Sequence, residues 1–214
     1  MLTLSTLLCE YQFMTPDTRS KKRQSYHHGN LPAALIEAGL KLIEKKGVRA
    51  LTLREIGARV GVSRMAAYRH FSDKADLLAA IREAGFAQFA DALEQARSKG
   101  KTFPARLKAM ALAYVRFAAE HPAHFEVMFS WSPQQPSPSP AGASAFGILE
   151  QTIREGQQSG DVRAGDSVQL ARLVWAQVHG VSVLRLAPNL TPKSAGTRFV
   201  EFCSEILKIG LAPM

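Results

Sequence analysis

The stretch Ser63-Arg64-Met65-Ala66-Ala67-Tyr68-Arg69-His70 gathers two arginines, a histidine, a tyrosine hydroxyl and two small alanines. The chemistry such residues offer is hydrogen bonding to phosphates and base edges. Arginine to guanine is the commonest specific base contact, and methionine or alanine can meet a thymine methyl. These contacts need a helix narrow enough to enter a groove, and the residues just upstream supply its mounting. Thr52 is an N-cap residue with Glu55 three positions on, the capping-box spacing. Ile56 and Val60 lie one helical turn apart and give a first helix its buried face. Gly61 falls where the chain must bend, and only glycine takes positive φ without steric cost. Ser63 can cap a second helix that starts at once. Residues 52–71 therefore read as a helix-turn-helix, the unit whose second helix lies in the DNA major groove.

The run Thr52…Ile56-Gly57…Val60-Gly61-Val62-Ser63…Tyr68-Arg69-His70-Phe71…Lys74…Leu77-Leu78 resembles the DNA-binding domain of the tetracycline-repressor (TetR) family over about residues 26–82. Gly57 and Val60 stand where the family more often has alanine. Groove geometry puts Arg64, Met65 and Ala66 at base edges, and Arg69 fits either base or phosphate. The resemblance implies phosphate contacts from Thr52, Ser63, Tyr68, His70 and Lys74. Lys74 falls in the first turn of a further helix, where a lysine opposes the helix dipole; a bound phosphate would reverse that penalty.

The charge pattern agrees with a polyanion partner. Of 27 Lys+Arg and 18 Asp+Glu in the 214 residues, residues 19–82 hold 14 and 5, so the whole surplus of +9 sits on and around the motif. Such asymmetry marks a nucleic-acid face at one end of a molecule. Apolar residues make up 46% and charged residues 21%, which suits a globular chain. No apolar run approaches the roughly 18 residues of a membrane span. Cys9 and Cys203 match no metal or disulfide framework, and a reducing, cytoplasmic setting is the default.

The remaining elements are read from periodicity. Residues 1–23 are expected to be a flexible extension, with Arg19, Lys21, Lys22 and Arg23 either reaching phosphates or a minor groove, or simply frayed. Leu31 to Lys46 reads as a helix with Leu31, Leu35, Ala38, Leu42 and Ile43 on one face, stopped by Gly47. It should complete a three-helix unit cored by Leu51, Leu53, Ile56, Val60, Val62 and Phe71. A long helix is expected from Asp73 to about Ser98, with Leu78, Ile81, Gly85, Phe89, Ala92 and Ala96 buried. Further helices are expected over 104–120, 121–129, 143–158, 166–186 and 192–209. The four prolines of residues 132–142 argue for a loop there, a possible lid beside a pocket. The predicted fold is all-α, about nine helices, with a helix-turn-helix domain over 24–84 and a carboxy-terminal effector-binding and dimerisation domain over 85–214.

In that second part, Tyr114, Phe117, Phe125, Met128, Phe129, Trp131, Trp175 and His179 are the candidates for an apolar effector pocket. Trp175…His179-Gly180, with His121-Pro122 upstream, resembles the Trp-His-Gly subgroup of the same family and implies effector binding or dimerisation. The broad apolar faces of 168–186 and 194–209 predict a homodimer through a four-helix bundle. His27 and His28 are adjacent and on a helix would not face one site, and His121 with His124 has no third ligand, so no metal or cofactor is expected. The chain lacks a Gly-x-Ser-x-Gly elbow, a phosphate-binding glycine loop and a His-Glu-x-x-His pair, so catalysis is not expected. The expected function is a ligand-responsive regulator, most simply a repressor that binds a palindromic double-stranded operator as a dimer and is released by a small apolar effector. The alternative is a sequence-neutral architectural DNA binder, which would share the basic end but need no separate apolar domain.

Overall fold

A computed structural model of the chain describes residues 30–130, 139–186 and 211–212. The described residues form eight α-helices: α1 (Leu31–Lys46), α2 (Leu53–Val60), α3 (Arg64–Tyr68), α4 (Lys74–Lys99), α5 (Phe103–Glu120), α6 (Pro122–Phe129), α7 (Pro140–Gln158) and α8 (Ser167–Leu186). A 3-10 turn, Val48–Ala50, joins α1 to α2. The described residues are all-α, as the periodicity predicts. The expected last helix, the 1–23 extension, both cysteines and His27-His28 lie outside the described residues.

Short polar side chains start the helices. Thr52, Ser63, Asp73, Thr102 and Ser139 each accept a backbone N–H from the first turn that follows. Such a cap contributes about 1 kcal/mol. Asp166 caps α8 through the Val168 and Gln169 amides, while the Ser167 hydroxyl turns to Glu150. Only half of the expected capping box forms. Thr52 Oγ1 accepts the Glu55 amide at 3.2 Å, but the Glu55 carboxylate pairs with Arg59 on the next turn.

Leu35, Leu42, Leu51, Ile56, Leu77 and Ile81 are all fully buried and form the core that joins α1 and α2 to the start of α4. Gly39 lets α1 come close; a β-carbon there would sit 3.1 Å from Ile81 Cδ1. Val62, expected in this core, and Leu31 and Ala38, expected on the apolar face of α1, are only half-buried. Below, α4 packs on α5, α6 and α7, and α5 and α7 pack on α8. Because α4 is covered on several sides, its buried set goes beyond one stripe: Leu77, Ala90 and Leu93 join Ile81, Gly85, Phe89 and Ala96, while Leu78 and Ala92 are partly open. Arg97 of α4 and Arg106 of α5 both reach Glu155 of α7, at 3.0 and 2.8 Å, and fasten three helices at one end.

One boundary needs correcting. Pro140, Ala141 and Gly142 were expected to belong to a loop, yet α7 begins at Pro140, capped by Ser139. Proline at the first helical position lacks only an N–H that would have no intrahelical partner. The lid expectation for the rest of that segment falls outside the described residues.

Candidate nucleic-acid interface and effector cavity

The turn of the helix-turn-helix is made as the residue types require. Gly61 adopts φ 77° and ψ 26°. Its N–H reaches Ala58 O at 3.2 Å, and the Val62 N–H reaches back to Gly57 O at 2.9 Å. These two bonds close a Schellman motif and satisfy the last carbonyls of α2. Ala67 of α3 is fully buried, so it is the residue that permits close helix packing, while Ala66 is half-exposed.

The outward face of α3 and the turn after it carries Arg64, Met65, Tyr68, Arg69 and His70, all exposed. Met65 is 69% exposed, an unusual display for a large apolar side chain. The Arg64 guanidinium lies 5.2 Å from the centre of the Tyr68 ring, one turn on, which orients it by cation–π attraction. Among the described residues, Arg54, Arg64 and Arg69 make no ion pair, whereas Arg59 is neutralised by Glu55. The face is therefore basic, and its cations are uncommitted. Thr52 and Ser63 use an oxygen lone pair for capping, which leaves each hydroxyl proton free to donate outward.

Lys74 is placed differently from expectation. Its ammonium donates to Val48 O at 2.8 Å and Arg49 O at 3.3 Å, and it is partly buried. The lysine thus ties the start of α4 to the 3-10 turn and satisfies carbonyls there. Asp73 and Asp76, at the cap and first turn, already answer the α4 dipole.

The second site is a cavity lined by five helices, with about 60 Å³ of interior space open to the centre of a water-sized molecule. α4 contributes Phe86, Phe89 and Leu93; α5 contributes Leu107, Met110, Ala111 and Tyr114. Phe129 of α6, Gly142, Ala145, Phe146 and Leu149 of α7, and Val174, Trp175 and Val178 of α8 complete the wall. Among the described residues, none that lines the cavity is charged.

Of the eight residues expected at this pocket, Tyr114, Phe129 and Trp175 line it. Phe117, Phe125 and Met128 are buried in the packing behind it. His179 supports the wall instead of lining it: its Nδ1 lies 2.8 Å from the Tyr114 hydroxyl, and its ring stacks on Phe125. Trp131 lies outside the described residues. Phe86, Phe89, Met110, Phe146 and Leu149 were missed as wall residues, because helical spacing marks a residue as inward but not as bordering a gap.

The polar groups of this region bond mainly to one another. Trp175 Nε1–H donates to the Tyr114 hydroxyl at 3.2 Å, opposite His179. Burial pushes the Tyr114 phenol well above its ordinary range, only partly opposed by the Trp175 bond. Burial also lowers the His179 imidazole, so the trio is neutral. At the cavity edge the Glu83 carboxylate of α4 accepts the Ala141 N–H at 2.8 Å and the Ser139 hydroxyl, both at the start of α7. α4 is thereby fixed to α7 beside Gly142, a wall residue. Nearby, α6 packs so closely on α4 that a β-carbon at Gly85 would sit 2.9 Å from Met128 Sδ. His124 of α6 has a buried Nε2 without a partner, and burial lowers its imidazole, aided by His121 and opposed by Glu44.

Among the described residues no helix is long and apolar enough to cross a membrane, and no group of three or more His, Cys, Asp or Glu side chains could hold a metal ion.

Comparison with known proteins separates the same two regions. Residues 35–81 match the family model of bacterial regulatory proteins of the tetR family, and residues 107–205 match the tetracyclin repressor-like C-terminal domain. The class A tetracycline repressor protein from transposon 1721 of Escherichia coli is 42% identical over 57 residues, 27% of this chain. That match spans only 26% of the curated repressor's length. A solved structure of a protein of unknown function from Rhodococcus sp. RHA1 is 32% identical, covers 88% of this chain and 99% of its own, and superposes with a TM-score of 0.78. A tetR-family regulatory protein from Rhodococcus RHA1 is 25% identical over 82% of this chain and 96% of its own, with a TM-score of 0.62. With a helix-turn-helix that exposes an uncommitted basic face, and a separate helical body built around an apolar cavity, the chain belongs to the TetR family of transcriptional regulators.

Proposed function

We propose that this regulator is a dimeric repressor that binds a two-fold symmetric operator and is released by a small hydrophobic molecule held in the cavity. The observation that carries the reading is that one helix serves both sites. α4 begins against the 3-10 turn of the DNA-binding head, through Lys74, and continues unbroken to supply Phe86, Phe89 and Leu93 to the cavity wall. A division of roles at residues 24–84 and 85–214 therefore falls within a continuous helix roughly 39 Å long.

In the head, Arg64, Met65 and Ala66 read base edges, and Thr52, Ser63, Tyr68 and His70 hold phosphates. Arg69 serves one or the other, and Lys74 contributes to phosphate binding through whatever donor capacity its two carbonyl bonds leave. Phosphate contacts set register and base contacts set sequence. One arginine discriminates by only about 1–3 kcal/mol, so a dimer that doubles the contacts fits the task. Support for the dimer comes from α8, where Leu173 and Ala176 are exposed at a spacing that shares a face, and where a β-carbon on Gly180 would meet no atom of the described residues within 4 Å. Residues 194–209 are the other half of the proposed interface. Cytoplasmic location follows from a DNA partner. We also place the chain in the Trp-His-Gly subgroup, a reading supported by the joint role of Trp175 and His179 around Tyr114.

A ligand that spreads α4 from α7 alters the separation of the two recognition helices. Half-sites lie about one DNA turn, or a multiple of it, apart, so a shift of a few Å ends simultaneous docking. The test is to enrich a duplex from a random pool, bind it to the purified chain, and add each compound that raises the melting temperature in a screen. Release of the duplex by such compounds is the expected result. Thermal stabilisers that leave DNA affinity unchanged would sink the ligand-responsive part of the reading.

A further inference from the structure

We propose that the cavity selects a neutral, ring-containing molecule that carries one hydroxyl or carbonyl group bonded to Tyr114, and that it rejects carboxylates of the same shape. This deepens the effector reading above and rests on it.

Three features of the cavity combine. First, among the described residues its wall holds six aromatic rings, from Phe86, Phe89, Tyr114, Phe129, Phe146 and Trp175, and no ionisable group except the Tyr114 phenol. Flat ring faces match such a wall, whereas an ionised group buried there would lose its hydration without a partner.

Second, the place suited to an anion among the described residues of the edge is filled. A helix N-terminus normally attracts negative charge through its free amides. Here the first turn of α7 borders the cavity at Gly142, but the Glu83 carboxylate already takes the Ala141 amide and the Ser139 hydroxyl. An acidic ligand would find those donors already taken.

Third, the hydrogen-bonding trio leaves one bond to spare. The Tyr114 hydroxyl accepts from Trp175 Nε1–H and shares one proton with His179 Nδ1. When the imidazole proton is on Nε2, Tyr114 donates to His179 and keeps one lone pair for a ligand donor. When it is on Nδ1, His179 donates and the phenol proton is free for a ligand acceptor. A hydroxyl can use both arrangements and a carbonyl the second. Either arrangement leaves Trp175 undisturbed, and together they offer an anion at most one donor.

The experiment titrates the purified full-length chain with 2-naphthol, 2-methylnaphthalene and 2-naphthoate at pH 7.5, and follows affinity for the enriched duplex in parallel. 2-Naphthol is expected to bind, and 2-naphthoate to bind at least about 100-fold more weakly, the consequence of an unpaired buried charge. Tyr114→Phe is expected to weaken 2-naphthol about 10-fold, the size of one neutral hydrogen bond, and to leave 2-methylnaphthalene unchanged. A purely structural defect in the variant would weaken both, so equal losses overturn the role given to Tyr114. 2-Naphthoate binding as tightly as 2-naphthol, or no 2-naphthol binding by a chain that still binds its duplex, overturns the ligand class and leaves the DNA reading standing. Loss of duplex specificity with 2-naphthol binding retained would instead count against the proposed function alone.

Discussion

The DNA-binding head and the cavity solve opposite problems with the same helical material. In the head, the candidate side chains point out, and the fold's task is to present them: Arg64, Met65, Tyr68 and Arg69 are exposed on α3 and its C-cap, held by two caps and one glycine turn. In the cavity the working side chains point in, and the fold's task is to leave a gap among them. A presenting surface depends on local rules acting within some twenty residues, whereas a gap depends on five helices failing to close completely. The two regions should therefore respond differently to perturbation, and the differences can be ordered by size.

The largest effect is expected from the head core. Ile56→Ala empties a site that is 0% exposed and should cost about 2–5 kcal/mol. Because the cavity wall comes from α4 to α8, 2-naphthol binding should survive at temperatures where the variant has lost DNA binding. Calorimetry and DNA binding measured together check this; joint loss of both would mean the two regions fold as one unit.

Next comes base reading. Arg64→Ala should cost about 1–3 kcal/mol at the preferred base and relax sequence preference there, read from competition among single-base variants of the duplex. Lys74→Ala should weaken all duplexes alike, and a direct phosphate role would flatten the salt slope by about one unit. The bonds to Val48 and Arg49 carbonyls predict in addition a lower melting temperature, and an unchanged salt slope would assign Lys74 to structure alone.

A smaller effect of opposite sign is expected at Gly57. It lies inside α2 with φ in the ordinary range, and a β-carbon there would meet its nearest neighbours, Ala67 Cβ and Val62 O, at 3.6 Å, an ordinary contact. Gly57→Ala should stabilise the head by up to about 1 kcal/mol. Thermal melting gives the sign.

The smallest expected effect is the response to acid in the body. His124 and His179 are both held below their ordinary range in the folded state, mainly by burial. The unfolded chain takes up these protons near pH 6.5, while the folded chain waits for lower pH. Stability is therefore unaffected above that value and falls as the pH drops below it. Melting temperatures between pH 7.5 and 5.5 should decline, and the decline should be shallower in His124→Gln.

The same contrast explains what could be read in the sequence. Thr52, Gly61 and Ser63 announce their roles because each is required by a backbone geometry that its own type fits, and all three stand where the pattern places them. The all-α fold and most helix ends follow from the same local signals, and Pro140 was misplaced only because proline both forbids a helix interior and favours a helix start. The cavity was partly legible. Tyr114, Phe129 and Trp175 were found, but Phe86, Phe89 and Phe146 look in sequence like any core aromatics. Nothing local distinguishes a ring that fills space from one that borders it. The Lys74 bonds to the 3-10 turn and the Glu83 bonds to α7 join residues about 25 and 57 positions apart, which no periodicity reports.

The claim that the exposed face of α3 reads sequence as part of a symmetric pair is tested most directly by selecting binding sites for the full chain from random duplex DNA, with affinity then followed against salt. A two-fold symmetric consensus, with its strongest positions lost in Arg64→Ala, is the predicted result. Salt-sensitive binding with no consensus would contradict it and would make the basic head a sequence-neutral DNA holder.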